Sequence, residues 1–189
     1  TGTPSTQVTL VLSLMEMVGA LNTFVNKGVY IEPIFIDKIC DSEGNVLEKF
    51  VPETVEAVDE QTAFLMLELM KGVVESGTGV RLHNVYKLRN PIAGKTGTTQ
   101  NNSDGWFMGL TPHLVSGVWT GCEDRACHFR SLAMGQGANM ALPVWAIYMN
   151  KLYDDPAISL PKDDFTPPRK PLTVEIDCDK YEQQNEDTH

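Results

Sequence analysis

The chain has 189 residues, 42% of them apolar, which suffices to bury the core of about one domain. Twenty-five acidic and 15 basic residues give a net charge of −10, and no Lys/Arg cluster offsets it. This balance argues against nucleic acid or anionic lipid as a partner. No run approaches the ~18 apolar residues of a membrane span, and the N-terminus lacks a signal-peptide pattern. The opening residues Thr-Gly-Thr-Pro suggest a piece of a longer protein.

The first periodic segment predicts a helix over residues 10–25, with Thr9 as its N-cap and Gly28 at its C-terminal cap. Its apolar positions recur at helical spacing: Leu14, Met17, Val18, Leu21 and Val25.

A β-hairpin is predicted next. An extended stretch covers residues 29–39 and contains Pro33, so at least part of it should be an edge. The turn at 41–45 leads to a second extended piece at 46–50, which we expect to pair with the first.

A second helix is predicted over residues 60–75, with Asp59 as its N-cap. Its apolar stripe is typical of core packing rather than of a binding surface. The stripe consists of Ala63, Met66, Leu67, Met70, Val73 and Val74.

Three short extended segments then predict an antiparallel meander, at residues 91–99, 106–111 and 114–121. A third helix is expected over 140–153. Prolines accumulate after Asp155 and the periodicity is lost. We therefore predict a domain over 1–155 and a Pro-rich, then acidic tail over 156–189, extended or disordered.

The four cysteines, Cys40, Cys122, Cys127 and Cys178, form no Cys-x-x-Cys pair. Cys122, Cys127 and His128 lack a second ligand pair nearby, so we expect no metal. Free thiols are the default expectation, with a loop disulfide between Cys122 and Cys127 as the alternative in an oxidising compartment. No cofactor is predicted.

The segment with the clearest chemistry is Gly-Lys-Thr-Gly-Thr-Thr at residues 94–99. In a strand, Lys95 and Gly97 lie on one face and Thr96 and Thr98 on the other. An ammonium with hydroxyls suits a substrate carboxylate, and an edge strand offers free N–H groups to an oxyanion. A phosphate-binding P-loop is excluded because Arg89 stands where its first glycine is required.

The wider sequence resembles the class A, bifunctional penicillin-binding proteins over about residues 2–153. The resemblance rests on Pro-Ile-Ala-Gly-Lys-Thr-Gly-Thr-Thr from Pro91, Asp-Gly-Trp-Phe-Met-Gly-Leu-Thr-Pro from Asp104, and Leu-Val-Ser-Gly-Val-Trp-Thr-Gly from Leu114. Upstream stretches at 16–30 and 69–79 fit the same family.

This resemblance implies an α+β fold of the β-lactamase/transpeptidase type, with a five-stranded antiparallel sheet flanked by helices. It also implies a serine-type D-Ala-D-Ala transpeptidase that cross-links peptidoglycan stem peptides and binds β-lactams. The parent protein would carry a glycosyltransferase and an inner-membrane anchor, with this domain in the periplasm. The chain would be the C-terminal half of the transpeptidase domain.

The family's roles carry over only to matching positions. Lys95 is expected to supply positive potential in the catalytic network, and Thr96 and Thr98 to bind the substrate carboxylate. The Thr98 backbone N–H is expected to form half of the oxyanion hole, and Gly97 to keep the groove open. Asp104, Trp106 and Trp119 are expected to be scaffold rather than site, and Thr99 and Gln100 to terminate the strand.

Two further motifs of the family are Ser-x-x-Lys and Ser-x-Asn. The sequence contains no Ser-x-Asn, and its one Ser-x-x-Lys is Ser159-Leu160-Pro161-Lys162. This string follows the Lys-Thr-Gly segment and includes a proline among turn residues, so we predict that it is not catalytic. The chain by itself is therefore expected to be inactive.

Two alternatives remain open from the sequence. One is a serine β-lactamase, which shares the Lys-Thr-Gly strand, and the other is a non-catalytic interaction module. We also expect the chain to self-associate, because Val115, Val118 and Trp119 would lie at an unpaired sheet edge.

Overall fold

A computed structural model describes residues 12–124 and 126–176, whose helices and antiparallel sheets form the predicted α+β fold. In chain order the elements are α1 (Leu14–Val25), β1 (Val29–Ile31), β2 (Lys38–Cys40), β3 (Val46–Lys49), β4 (Thr54–Glu56), α2 (Glu60–Glu75), α3 (Arg81–Asn84), β5 (Ala93–Thr98), a 3-10 helix (Gln100–Asn102), β6 (Asp104–Thr111), β7 (Leu114–Gly121), α4 (Leu132–Gly135) and α5 (Gly137–Asp154). Within these described ranges, no helix has the length and apolar character needed to cross a membrane.

Helix α1 begins at Leu14, four residues later than predicted. A capping box explains the start: the Glu16 N–H donates to Ser13 Oγ at 3.2 Å, and the Ser13 N–H donates to the Glu16 carboxylate at 2.7 Å. Hydrogen bonds from Ser13 also lower the pKa of the Glu16 carboxyl. The prediction of Thr9 as N-cap is therefore wrong, and Thr9 itself lies outside the described residues. Helix α1 ends at Val25 with Asn26 as its C-cap, so the predicted cap, Gly28, lies two residues beyond it. Gly28 adopts φ +93° and its N–H donates to the Thr23 carbonyl at 2.8 Å.

The extended stretch at 29–39 forms two strands rather than one. Strand β1 pairs antiparallel with β4, which was not predicted, while β2 pairs with β3. Pro33 lies between β1 and β2 and belongs to neither. The predicted hairpin is thus confirmed for β2 and β3 and wrong for β1. Its turn is held by the Asp41 carboxylate, which accepts from the Glu43 and Asn45 N–H groups at 2.9 and 2.8 Å.

Helix α2 has the predicted bounds. Asp59 is its N-cap and accepts from the Thr62 N–H at 3.0 Å. Four residues of the predicted stripe are buried, and Met66 and Val73 are half-buried. The buried four are Ala63, Leu67, Met70 and Val74.

The main sheet has the order β5-β6-β7, which confirms the predicted antiparallel meander. Of the five strands expected in the family's sheet, these three are the ones within the described residues. Helices cover both faces. On one face the Phe107 and Trp145 rings meet edge-on at 5.2 Å, so α5 packs there. On the other face, Leu14 of α1 lies beside Met108 and Gly117.

The amino end of α5 lies unusually close to the sheet. A Cβ on Gly137 would stand 2.3 Å from the Gly97 carbonyl oxygen and 2.4 Å from that of Trp106. Only a residue without a side chain permits this approach. The helix begins at Gly137, three residues before the predicted start, and its first turn therefore contacts the end of β5 directly.

The segment after Asp155 contains no helix or strand in its described part, 156–176. It nevertheless packs on the domain: Phe165 is only 5% exposed and joins the cluster of Leu67 and Met70, while Asp164 pairs with Lys71 at 3.2 Å. The domain boundary at residue 155 stays a prediction, and the acidic residues from 177 onward, together with Cys178, lie outside the described residues.

Candidate active site

The Lys-Thr-Gly segment lies on β5, at one edge of the three-stranded sheet. The first two residues of the strand, Ala93 and Gly94, are buried, whereas Lys95 and Thr98 are exposed. The difference arises because α2 packs beside the start of β5: a Cβ on Gly94 would lie 3.0 Å from the Val74 side chain. The half of the strand that carries the polar residues is therefore the open half.

The two faces of β5 carry different groups, as predicted. Thr96 is registered with Phe107, on the α5 face, while Lys95 is registered with Met108, on the α1 face. The Lys95 ammonium folds over the strand and donates to the Thr96 carbonyl oxygen at 2.6 Å. The cation thus lies at the outer edge of the strand.

The Thr96 and Thr98 hydroxyls are each fixed by another element. Thr96 Oγ1 lies 2.7 Å from Thr78 Oγ1, in the turn after α2. Thr98 Oγ1 accepts from the Gly137 N–H, at the start of α5, at 3.0 Å. Since a hydroxyl has one proton and this bond uses only its oxygen, the Thr98 O–H remains available as a donor.

The backbone of Thr98 directs its N–H away from the sheet. The next residue, Thr99, donates its N–H to the Asp104 carbonyl at 3.1 Å, on the β6 side. Successive residues in a strand direct their N–H groups to opposite sides, so the Thr98 N–H points to the outer edge. Within the described ranges, no strand pairs with β5 on that side. This is a free donor of the kind that an oxyanion requires.

Gly97 has a packing role in addition to its position in the motif. It is registered with Trp106 on β6, and a Cβ at Gly97 would lie 3.1 Å from the Trp106 Cβ. That separation is tighter than an ordinary van der Waals contact, so a side chain here would force Trp106 to shift. The expectation that Gly97 keeps a groove open stays a prediction.

The start of α5 is also held by a cation. Arg81 donates from Nη1 to the Ala138 carbonyl at 3.0 Å and to the Asn139 side chain. The first turn of a long helix carries a partial positive charge, which favours an anion near Thr98. The hydrogen bonds made by Thr78, Arg81 and Gly137 were not predicted from the sequence. Each residue is distant in the chain from its partner, and only the packing of the helices on the sheet brings the two together.

The end of β5 is structural, as expected. The strand stops at Thr98, and the buried Asp104 carboxylate accepts hydrogen bonds from three donors. It accepts from Thr99 Oγ1 at 2.9 Å, from Ser103 Oγ at 3.2 Å and from Trp119 Nε1 at 3.2 Å. With its oxygens so occupied, Asp104 acts as a brace between β6 and β7.

The Ser159–Lys162 string lies at the far end of α5 from Thr98. Gly137 begins that helix of 18 residues, which spans ~27 Å, and Ser159 comes after its last residue. Ser159 is exposed and not helical, and the Lys162 ammonium lies 4.7 Å from the centre of the Tyr153 ring. That the string is not catalytic stays a prediction.

Cys122 and Cys127 are exposed free thiols that line one open pocket next to β7. A hydrogen bond with Cys122 is the main cause of a raised pKa at the Cys127 thiol. Among the described residues, no group of three or more His, Cys, Asp or Glu side chains is arranged to hold a metal ion.

Comparison with known proteins identifies a family. The model of the penicillin binding protein transpeptidase domain matches residues 3–119. Penicillin-binding protein 1A of Aquifex aeolicus is 32% identical over 171 residues, which are 89% of this chain and 22% of that protein. Penicillin-binding protein 1A of Neisseria lactamica is 35% identical over 140 residues, 71% of this chain and 17% of that protein. The chain thus spans about a fifth of the length of these relatives.

Solved structures show the same fold. Penicillin-binding protein 1A from Haemophilus influenzae superposes with a TM-score of 0.69 at 24% identity, over 84% of this chain and 28% of that one. An imipenem acyl-enzyme complex of penicillin-binding protein A from M. tuberculosis gives a TM-score of 0.58 at 20% identity, over 76% of this chain and 32% of that one. The Lys-Thr-Gly strand and the family match together lead to one conclusion: the chain belongs to the penicillin-binding protein transpeptidase family.

Proposed function

We propose that this chain contributes the Lys-Thr-Gly strand to a D,D-transpeptidase that cross-links peptidoglycan stem peptides ending in D-Ala-D-Ala. The observation that carries the proposal is the open half of β5. There an ammonium, a hydroxyl with a free proton and an outward backbone N–H stand together at one sheet edge. These are the groups needed to bind a carboxylate and to stabilise an oxyanion beside it.

In this mechanism a serine from the other half of the domain attacks the carbonyl of the penultimate D-Ala and releases the last D-Ala. An amine of a second stem peptide then attacks the acyl-enzyme, which forms the cross-link and frees the serine. Lys95 supplies positive potential, Thr96 and Thr98 bind the terminal carboxylate, and the Thr98 N–H is one oxyanion donor. The other donor is the N–H of the nucleophile itself.

The same serine is proposed to react with β-lactams. In support, one structural relative is an imipenem acyl-enzyme complex, although its likeness to this chain concerns the fold. The relatives named penicillin-binding protein 1A are four to six times longer than the matched segment, which supports a parent protein with further parts. We propose that the parent also carries a glycosyltransferase and an inner-membrane anchor, and that this domain works in the periplasm.

The test uses the full-length parent protein and the rate of acylation by a fluorescent penicillin. We expect Lys95→Ala and Thr98→Val to slow acylation without unfolding the domain. Loss of one oxyanion donor typically costs ~10²–10³ in rate, and Thr98→Val should cost less because its backbone N–H remains. Thr98→Ser keeps the hydroxyl and is the matched control, with a rate close to that of the wild type.

Acylation within about twofold of wild type for both variants would contradict the assignments. Rapid turnover of a chromogenic cephalosporin by the wild-type parent would instead indicate a β-lactamase. The chain alone should not be labelled, because a serine without an adjacent base is a poor nucleophile. A labelled band that survives boiling, mapped to a serine of this chain, is the opposite outcome.

A further inference from the structure

The turn after α2 brings a hydroxyl from outside the Lys-Thr-Gly motif to the site. Thr78 Oγ1 lies 2.7 Å from Thr96 Oγ1, and the two residues are 18 positions apart in the chain. Thr78 is exposed, and its hydroxyl meets β5 at Thr96, on the open half of the strand. None of the roles proposed above accounts for this contact.

The position of Thr78 is fixed by backbone hydrogen bonds on both sides. The Gly77 N–H donates to the Gly72 carbonyl at 3.1 Å, and the Gly79 N–H donates to the Val73 carbonyl at 2.8 Å. The Leu82 N–H in turn donates to the Gly79 carbonyl at 2.9 Å. The turn is therefore bound to the end of α2, which itself packs beside β5. These bonds hold the backbone of Thr78 beside β5, within reach of Thr96.

The proton count of the pair explains what Thr78 adds. Two hydroxyls carry two protons, and the bond between Thr78 and Thr96 uses one of them. Whichever oxygen donates, the other proton is free to donate to a bound anion. The pair thus presents one oriented O–H donor next to the Lys95 ammonium. Without Thr78, the Thr96 hydroxyl would rotate among its staggered positions.

We propose that Thr78 is a positioning residue of the carboxylate site, which orients the Thr96 hydroxyl toward the carboxylate of the stem peptide or β-lactam. This inference rests on the proposed function and extends its binding site to the turn after α2. Thr78 acts on binding of the anion and takes no part in bond making or breaking. Its effect should therefore fall on the affinity for the acylating agent rather than on the first-order acylation rate.

The test compares Thr78→Val with Thr78→Ser in the full-length parent. We expect Thr78→Val to lower the apparent second-order acylation constant for benzylpenicillin roughly 3- to 10-fold, the value of one hydrogen bond to a charged or polar group. The loss should appear in the dissociation constant, and Thr78→Ser should restore wild-type behaviour. With the methyl ester of benzylpenicillin, which has no carboxylate, Thr78→Val and wild type should react alike.

A double-mutant cycle with Thr96→Val completes the test. If Thr78 works through Thr96, the variant lacking both hydroxyls should lose no more than Thr96→Val alone. Additive losses, or an equal loss with the ester, would overturn the proposal. A parent that penicillin does not acylate would refute the proposed function instead. A crystal structure of the parent then tests this inference separately from the proposed function. Hydroxyls of Thr78 and Thr96 more than 3.5 Å apart would refute the pairing.

Discussion

The β2–β3 hairpin and the β5–β7 sheet are both antiparallel and both held by turns, yet they differ sharply in burial. Every residue of β2 and β3 is exposed, and Phe35, just before β2, is 86% exposed. In β6, seven of the eight residues are buried. The hairpin depends on local bonds to Asp41, whereas the sheet depends on α5 packing against it through Trp145.

This contrast indicates where stability and function are coupled. The candidate site lies on β5, whose geometry is set by buried contacts of β6, α2 and α5. Changes in the hairpin should therefore leave the site intact, while changes under the sheet should disturb both stability and site. The four predictions that follow test this separation, from the largest expected effect to the smallest.

Removing the Trp145 side chain should cause the largest loss. Trp145 is fully buried, meets Phe107 edge-on and donates to Ser116 Oγ at 2.8 Å. We expect Trp145→Ala to lower the free energy of unfolding by ~3–5 kcal/mol in urea denaturation. The control is Leu47→Ala in the hairpin, where the side chain is 67% exposed. It should stay within ~0.5 kcal/mol of wild type, and equal losses for both would contradict the contrast.

Two Gly-to-Ala substitutions in helices should have opposite signs. Gly137→Ala places a methyl group against two backbone carbonyls, so α5 must shift; we expect a loss of ~1–3 kcal/mol. Gly72→Ala in α2 meets nothing within 4 Å and should stabilise the chain by ~0.5–1 kcal/mol. In the full-length parent, only Gly137→Ala should also slow acylation, because it moves the Gly137 N–H that donates to Thr98 Oγ1. Destabilisation by Gly72→Ala, or an unchanged Gly137→Ala, is the contrary result.

Self-association is expected at the β7 edge rather than at the hairpin. Strand β7 ends the described sheet, and its Trp119 is 41% exposed. Size exclusion with light scattering at micromolar concentration should give a dimer, both for wild type and for Phe35→Ser. Loss of the dimer in Phe35→Ser would instead assign the dimer interface to the hairpin. A clean monomer of 20.9 kDa with a cooperative melt would refute association altogether.

The smallest effect concerns pH and is confined to the hairpin turn. Hydrogen bonds from Asn45 lower the pKa of the Asp41 carboxyl below its ordinary 3.8. A lowered folded-state pKa means that the contribution of Asp41 is present above pH ~3.8 and lost as pH falls through the folded value. In NMR spectra, the Asn45 amide should therefore shift below pH 3.8, while the amides of Met108 and Leu110 in β6, which lie away from any carboxylate of that strand, stay unchanged. In Asp41→Ala the Asn45 shift should disappear, and a persisting shift would assign the titration to another group.

Where local signals decide an element, the sequence predicts it well. The bounds of α2 follow from the Asp59 cap and the apolar stripe, and those of β7 from its turns. The capping box of Ser13 and Glu16 is equally local, and reading it would have corrected the start of α1. The Lys-Thr-Gly segment and the family followed from residues that are adjacent in the chain.

By itself, then, the sequence determined the elements whose causes lie within a few residues, the polar strand among them. Only the tertiary structure decided which distant groups meet that strand: β4 beside β1, Thr78 on Thr96, Gly137 on Thr98, and Phe165 in the core. The physical reason is that periodicity and capping report on near neighbours. A hydrogen bond between residues 18 or 39 positions apart depends on how helices pack against the sheet, which no local pattern encodes.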